Sequence, residues 1–427
     1  MVELVIKIKK HKVLFVNILF TFLSMFFNLL LGFKVLWFSL FILVPLFLNE
    51  EDSFSCLLYF SLFGRITHIK IFAVLICLYT FVFILKIIFT RLKANEFSKI
   101  PLYYFISIFL IFVYSLIVNK AITIQYAYYL NFINLISIFA LIKHKFNKEM
   151  VLLYGYAIII SSLLSLVGYF LGLTNIPFAY EKKIDLLRFT GLCSNYNGLS
   201  ICCVIEITLL FNLFFKGELP KFKTWFMIAL LTIIGILTFS KTYFLTIVCT
   251  FLYIIICLFV KSKNKKKFVL YFLGLCVLVS PILIIYVSTI LKRFTSFFTH
   301  SSFLDVITTG RYKYWKLYLK SFSKNIFTIL FGVGACHNFN TEYSSHSLYV
   351  SLLSRLGVIG SLLILLFVIK TINHKKKSKF NFMNFFPLLL MILIFVVEDI
   401  TFNTHNSIPF IISMLLLNHD DKKNQLK

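Results

Sequence analysis

Apolar runs long enough to cross a bilayer recur from one end of this 427-residue chain to the other, and they leave room for little else. They fall at 13–33, 35–48, 53–64, 70–90, 101–118, 122–142, 150–173, 196–215, 223–238, 240–260, 267–291, 346–370, 382–400 and 406–418. A helix needs about 20 mainly apolar residues to span the hydrocarbon. Inside lipid, every backbone N–H and C=O must be paired within the structure, which a helix does by itself. The fold expected is therefore an all-α polytopic membrane protein. Two of the runs, 35–48 and 53–64, are short and read as tilted helices, a re-entrant pair or one broken element. Twelve to fourteen transmembrane helices are expected. The first run follows KIKKHK, is too long for the apolar part of a signal peptide and lacks a small-residue cleavage site, so it reads as a retained helix.

The net charge of +27 would suggest nucleic acid in a water-soluble chain. Here its placement excludes that reading. The basic clusters RLKANEFSK at 91–99, KHKFNK at 143–148, KGELPKFK at 216–223, KSKNKKK at 261–267 and HKKKSK at 374–379 lie in short gaps between apolar runs. An even number of spans separates each cluster from the next. The positive-inside rule then puts them all in the cytoplasm, with both termini, and makes the protein a multi-pass component of the plasma membrane. The cysteines are scattered, and none has zinc-ligand spacing. Cys193 and Cys336 both fall in predicted outside segments, where a disulfide is conceivable.

Two long connections fall on the outer side. The chain accordingly divides into N-terminal helices over 1–291, including the outside loop 174–195, an extracytoplasmic loop over 292–345 and C-terminal helices with a cytoplasmic tail over 346–427. Arginines on the translocated face run against the charge bias, so they need another explanation. In the first loop, Arg188 precedes GLCSNYNG, where Asn195 or Asn197 could cap the next helix and favour a nearby anion. The second loop contains TTGRYKYWKLYLKSFSKNIF. On a helix, Trp315, Leu319, Phe322 and Ile326 share one face while Lys313, Lys316, Lys320 and Lys324 occupy the rest, the pattern of a helix lying at lipid headgroups. Arg311 stands at the Gly310 turn, where its planar fork could grip a diphosphate. The glycines of FGVG read as a tight chain reversal rather than a nucleotide loop.

His346 begins the next span at the outer surface. An imidazole there could orient or deprotonate a hydroxyl, although a solvated histidine at a helix start has the same sequence. Arg355 lies deeper in that span and should face a cavity or counter-ion rather than lipid. Glu206 lies about halfway across its span and is a possible intramembrane acidic site, either paired or catalytic. Lys241 lies near an outer helix end. Glu398 and Asp399 read as interfacial charges closing the next-to-last span.

Together, RFTGLCSNYNG, LTFSKTYF, TGRYKYW, LFGVG and SHSLYVSLLSRLGVIGSLLIL resemble the Wzy polymerase and O-antigen ligase superfamily of bacterial membrane glycosyltransferases. The resemblance covers roughly the C-terminal half, from Arg188 onward. It implies a GT-C-like helical fold and chemistry on the outer face. The substrates implied are glycans linked to undecaprenyl diphosphate, used without nucleotide sugar, catalytic metal or other cofactor. It further implies that Arg188 and Arg311 hold the lipid diphosphate and that His346 activates the acceptor hydroxyl. Lys241 stands where the family often has arginine, which keeps the charge but loses the bidentate grip.

The expected activity is polymerisation of lipid-linked oligosaccharide repeat units into a capsular or O-antigen-like polysaccharide. Expected catalytic residues are His346 and Arg311, with Arg188, Arg311, Lys241 and Arg355 binding the diphosphate. Expected partners are the lipid-linked glycan and membrane lipid, with a flippase and a chain-length regulator as possible associates. A glycan ligase of the same superfamily is the nearest alternative, and a polysaccharide flippase or transporter the alternative from another class. The lysine- and phenylalanine-rich composition suggests a low-GC bacterium without lipid A, which favours the polymerase.

Overall fold

In a computed structural model, residues 41–62, 69–93, 148–171, 178–181, 186–193, 195–267, 311–334, 346–375, 381–398 and 404–417 are described, apart from 194 and 268, with scattered positions at 106–138, 269–273, 337 and 339. The described chain is built almost wholly of helices. α1 (Val44–Phe47), α2 (Glu50–Phe60), α3 (Ile69–Lys93) and α4 (Lys148–Phe170) come first. A hairpin of β1 (Phe178–Glu181) and β2 (Leu186–Phe189) follows. Then come α5 (Tyr196–Phe215), α6 (Lys221–Leu237) and α7 (Lys241–Lys261). α8 (Tyr312–Phe322) and α9 (Ile326–Phe331) precede α10 (Leu348–Lys375), α11 (Phe382–Val397) and α12 (Thr404–Leu416). Five described helices are long and apolar enough to cross a membrane: α5, α4, α7 and the greater parts of α3 and α10. The protein is thus an all-α polytopic membrane protein.

α5 is the hub. It is buried on nearly every face and packs against α4, α6, α7, α11 and α12, as a mainly apolar helix does when protein surrounds it. Lipid tails are as apolar as leucine, so burial alone cannot hold spanning helices together; close packing and polar contacts between helices must contribute. Both are present. The Asn212 amide donates to the Met383 carbonyl at 2.7 Å and accepts from the Tyr253 hydroxyl at 2.8 Å. Tyr253 in turn stacks on Phe386 with ring centroids 3.8 Å apart. These contacts tie α5 to α7 and α11.

Of the short runs 35–48 and 53–64, the described residues 41–62 hold two helices separated by a break at Asn49. α1 is a single turn ending before Asn49, whose side chain caps α2 by accepting from the Asp52 N–H at 2.7 Å. Lys86, near the basic end of α3, donates to the carbonyls of Pro45 and Leu48 and so fixes the α1–α2 turn beside it.

Within the loop over 174–195, the described residues include a hairpin that the sequence did not suggest. β1 and β2 pair antiparallel with Ala179 opposite Arg188 and Phe178 opposite Phe189. The single interfacial helix expected from Arg311 to Ile326 is instead two helices. Asn325 and Thr328 form a reciprocal capping box that starts α9 anew, so Ile326 does not continue the Trp315 face. The fully buried residue of α8 is Tyr318, packed on Phe339 with centroids 3.8 Å apart. Lys313, Lys316 and Lys320 point away from that packed side and are exposed.

The glycines of FGVG meet a break in α10. Gly357, at φ 69°, interrupts that helix. The break removes the helical donors that Ser354 and Arg355 carbonyls would use; the N–H groups of Val333 and Gly334 replace them at 2.9 and 3.0 Å. Backbone lies directly on backbone here, since a Cβ on Gly332 would fall 2.3 Å from the Arg355 carbonyl oxygen. The expected chain reversal is therefore a docking joint between the loop and α10.

Candidate functional site

The ends of seven elements gather in one place, and local chemistry sets several of them there. Asn195 caps α5 by accepting from the Asn197 N–H at 2.8 Å. Ser240 caps α7 by accepting from the Tyr243 N–H at 3.4 Å. Between α6 and α7 the chain turns at Phe239, which sits at φ 46°. Arg188 on β2 reaches this turn.

Arg188 is 1% exposed and fully framed by protein. Its Nε donates to the Thr238 carbonyl at 2.9 Å, and its Nη2 donates to the Phe239 carbonyl at 3.2 Å and to Asn197 Oδ1 at 3.3 Å. The guanidinium also lies over the Tyr196 ring, 3.1 Å from its centroid. A cation at the carbonyl end of α6 complements the negative end of the helix dipole.

Asn197 carries the connection onward. Its Oδ1 also accepts from the Ser240 hydroxyl at 2.8 Å. Two donors on Oδ1 fix the amide orientation, and its Nδ2 donates to Glu398 Oε1 at 3.0 Å. The same carboxylate oxygen accepts from Arg311 Nη2 at 3.2 Å, with the two side chains 15% and 2% exposed for Arg311 and Glu398 respectively. Arg188 and Arg311 are therefore joined through Asn197 and Glu398.

Glu398 is the residue the sequence did not reveal. It was expected at the interface, but it is buried at the end of α11. Its companion Asp399 lies outside the described residues, as does Cys336.

His346 stands immediately before α10 in the left-handed region, at φ 50°, a backbone conformation that costs a residue with a side chain on the order of 1 kcal/mol. Neighbouring contacts hold it there. The Ser347 hydroxyl reaches the Phe395 carbonyl at 3.5 Å, and the Tyr349 hydroxyl donates to the Ile392 carbonyl at 3.0 Å. Both tie the start of α10 to the end of α11. Burial, then the positive charge of Arg311, lowers the His346 pKa to about 4. The imidazole is consequently neutral near pH 7 and able to accept a proton.

The remaining expected residues are distributed differently. Lys241 follows Ser240 in the first turn of α7, half-buried beside the network. Arg355 is 3% exposed and, among the described residues, faces aromatic rings. Its guanidinium lies 5.0 Å from the Phe339 centroid and 5.8 Å from that of Tyr318, and Nη1 donates to the His337 carbonyl at 3.5 Å. Arg355 thus braces α8 and the loop against α10. Glu206 is wholly buried among α4, α5 and α6, so close to Gly155 that a Cβ there would fall 2.8 Å from its Oε1. It lies apart from the gathered helix ends.

Residues 226–365 match the O-antigen ligase family, Wzy_C. That match is consistent with the Wzy polymerase and O-antigen ligase superfamily. The matched segment contains Lys241, Arg311, His346 and Arg355, whereas Arg188, Asn197, Glu206 and Glu398 lie beyond its ends. No curated protein matches the chain. The family match and the long apolar helices make this a multi-pass membrane protein and support an O-antigen polymerase- or ligase-type enzyme.

Proposed function

We propose that the protein is a repeat-unit polymerase, transferring a growing glycan from undecaprenyl diphosphate onto a sugar hydroxyl of the next lipid-linked unit at the outer face of the plasma membrane. Both termini then lie in the cytoplasm. The observation that carries this reading is the placement of Arg311, partly accessible and in electrostatic contact with the half-buried imidazole of His346.

In this reading the acceptor hydroxyl attacks the anomeric carbon while the bond from that carbon to the diphosphate oxygen breaks. Arg311 receives the charge that develops on the leaving lipid diphosphate, with Lys241 as the second cation. The hydroxyl proton passes to His346. Burial, together with the Arg311 charge, makes His346 a weak base. A bound diphosphate offsets that cation and raises the basicity of the imidazole when the substrate is in place. Arg188 takes a framing role, because its donors already serve Thr238, Phe239 and Asn197. Arg355 acts at a distance, through the α8–α10 packing.

The same donor chemistry serves a ligase, and the lysine- and phenylalanine-rich composition supports the polymerase. The test is a comparison of His346→Ala with wild type in binding and in transfer. Expected is near-normal binding of the lipid-linked donor, with transfer slowed about 10²–10⁴-fold, the range for losing a general base. Unchanged transfer would remove His346 from the chemistry.

A further inference from the structure

The Glu398 carboxylate occupies an unfavourable place. It ends α11, where the negative pole of the helix dipole opposes an anion, and it is buried away from water. Asn197 and Arg311 offset that cost. Arg311 itself begins α8, on an element separate from the α5–α11 packing.

We infer that Glu398 holds Arg311 in the position a substrate phosphate takes, and yields it when a lipid diphosphate binds. This rests on the proposed diphosphate role of Arg311. Carboxylate and phosphate oxygens compete for the same guanidinium donors, and a diphosphate brings more charge and more acceptor oxygens. The exchange leaves Glu398 with a partner. Asn197 Oδ1 is fixed by Arg188 and Ser240, so its Nδ2 continues to face the carboxylate. Glu398 then serves twice: it compensates Arg311 between turnovers, and it recaptures Arg311 as the spent lipid diphosphate leaves.

The alternative role is a simple brace between α8 and α11. The two differ in the sign of one measurement. A competitor, once neutralised, lets the diphosphate bind more tightly; a brace, once weakened, lets Arg311 drift and binding falls. The probe is radiolabelled undecaprenyl diphosphate, bound to the full-length protein in lipid nanodiscs. Glu398→Gln keeps the shape and an acceptor for Asn197 while removing the charge. Expected is about three- to tenfold tighter binding, the scale of losing one partly exposed ion pair. The gain should vanish in Glu398→Gln/Arg311→Ala. In turnover, KM should fall by the same factor and kcat should also fall, because release slows.

Glu398→Gln binding that is unchanged or weaker overturns the proposal while leaving Arg311 as the diphosphate ligand. Wild-type binding that is indifferent to Arg311→Ala overturns the proposal and the diphosphate reading together. If Glu398→Gln fails to fold, Glu398→Asp decides. It draws the carboxylate back by one methylene, and tighter binding supports competition whereas weaker binding supports a brace.

Discussion

Two arginines stand a few side chains apart in this protein and are held in opposite ways. Arg188 is enclosed: backbone carbonyls, an amide oxygen and a tyrosine ring take up its guanidinium. Arg311 meets a carboxylate, retains partial exposure and lowers the pKa of a nearby histidine. The sequence gives both the same description, an arginine in an outside loop. The difference teaches that a cation fixed on uncharged backbone acceptors builds a site, whereas one balanced by an exchangeable anion can bind a charged substrate.

The comparison breaks most readily at Arg188. Replacing it by Ala strands the Thr238 and Phe239 carbonyls and the Asn197 amide. Expected is a loss of several kcal/mol, since each stranded buried acceptor costs about 1–3 kcal/mol, read as a fall in thermal midpoint in detergent. A variant of normal stability but without activity would instead make Arg188 a substrate ligand. Arg311→Ala should do the reverse. Transfer should fall about 10²–10³-fold, as on removal of one transition-state donor, while stability falls by less than at Arg188, because Asn197 still donates to the buried Glu398 carboxylate.

A smaller effect is expected at the docking joint. Gly357→Ala puts a Cβ 2.4 Å from the Gly332 nitrogen at a left-handed backbone position. About 1–3 kcal/mol should be lost, with activity falling in parallel because Arg355 and α8 shift together. Equilibrium unfolding and transfer rates on the same preparation would check this.

The pH dependence of stability sharpens the account of His346. A histidine with pKa about 4 in the folded chain and about 6.5 unfolded binds fewer protons when folded. Its contribution is fully present above the unfolded value and is lost as pH falls from about 6.5 through 4. His346→Asn should flatten the thermal midpoint over that window. The smallest effect belongs to the α8 lysines: Lys313→Gln or Lys316→Gln should change stability by less than about 0.5 kcal/mol, as exposed substitutions do.

Much of the helical frame was legible because lipid imposes a simple rule of length and hydropathy. Runs at 150–173, 196–215, 223–238 and 240–260 correspond to α4, α5, α6 and α7. The Asn195 cap was also readable, since its chemistry is local. The hairpin carrying Arg188 was not, because four-residue strands in a polar stretch show no usable alternation. The α8–α9 break had a signal, Asn325 three residues before Thr328, but the continuing amphipathic pattern concealed it.

Glu398 illustrates the harder limit. Its partners Arg311 and Asn197 are 87 and 201 residues away, and a charge ending a span looks the same whether it meets water or an arginine. One hint was available: a carboxylate at a helix C-terminus opposes the dipole, so it needs a cation. His346 was found by position, but its left-handed backbone and depressed pKa come from contacts among α10, α11 and Arg311.

The most direct test of the central claim is reconstitution of the purified protein in liposomes supplied only with lipid-linked repeat units. The account predicts a ladder of polymer with release of undecaprenyl diphosphate, needing no nucleotide sugar and collapsing in Arg311→Ala. Movement of the lipid-linked unit between leaflets without any ladder would contradict it, making the protein a transporter.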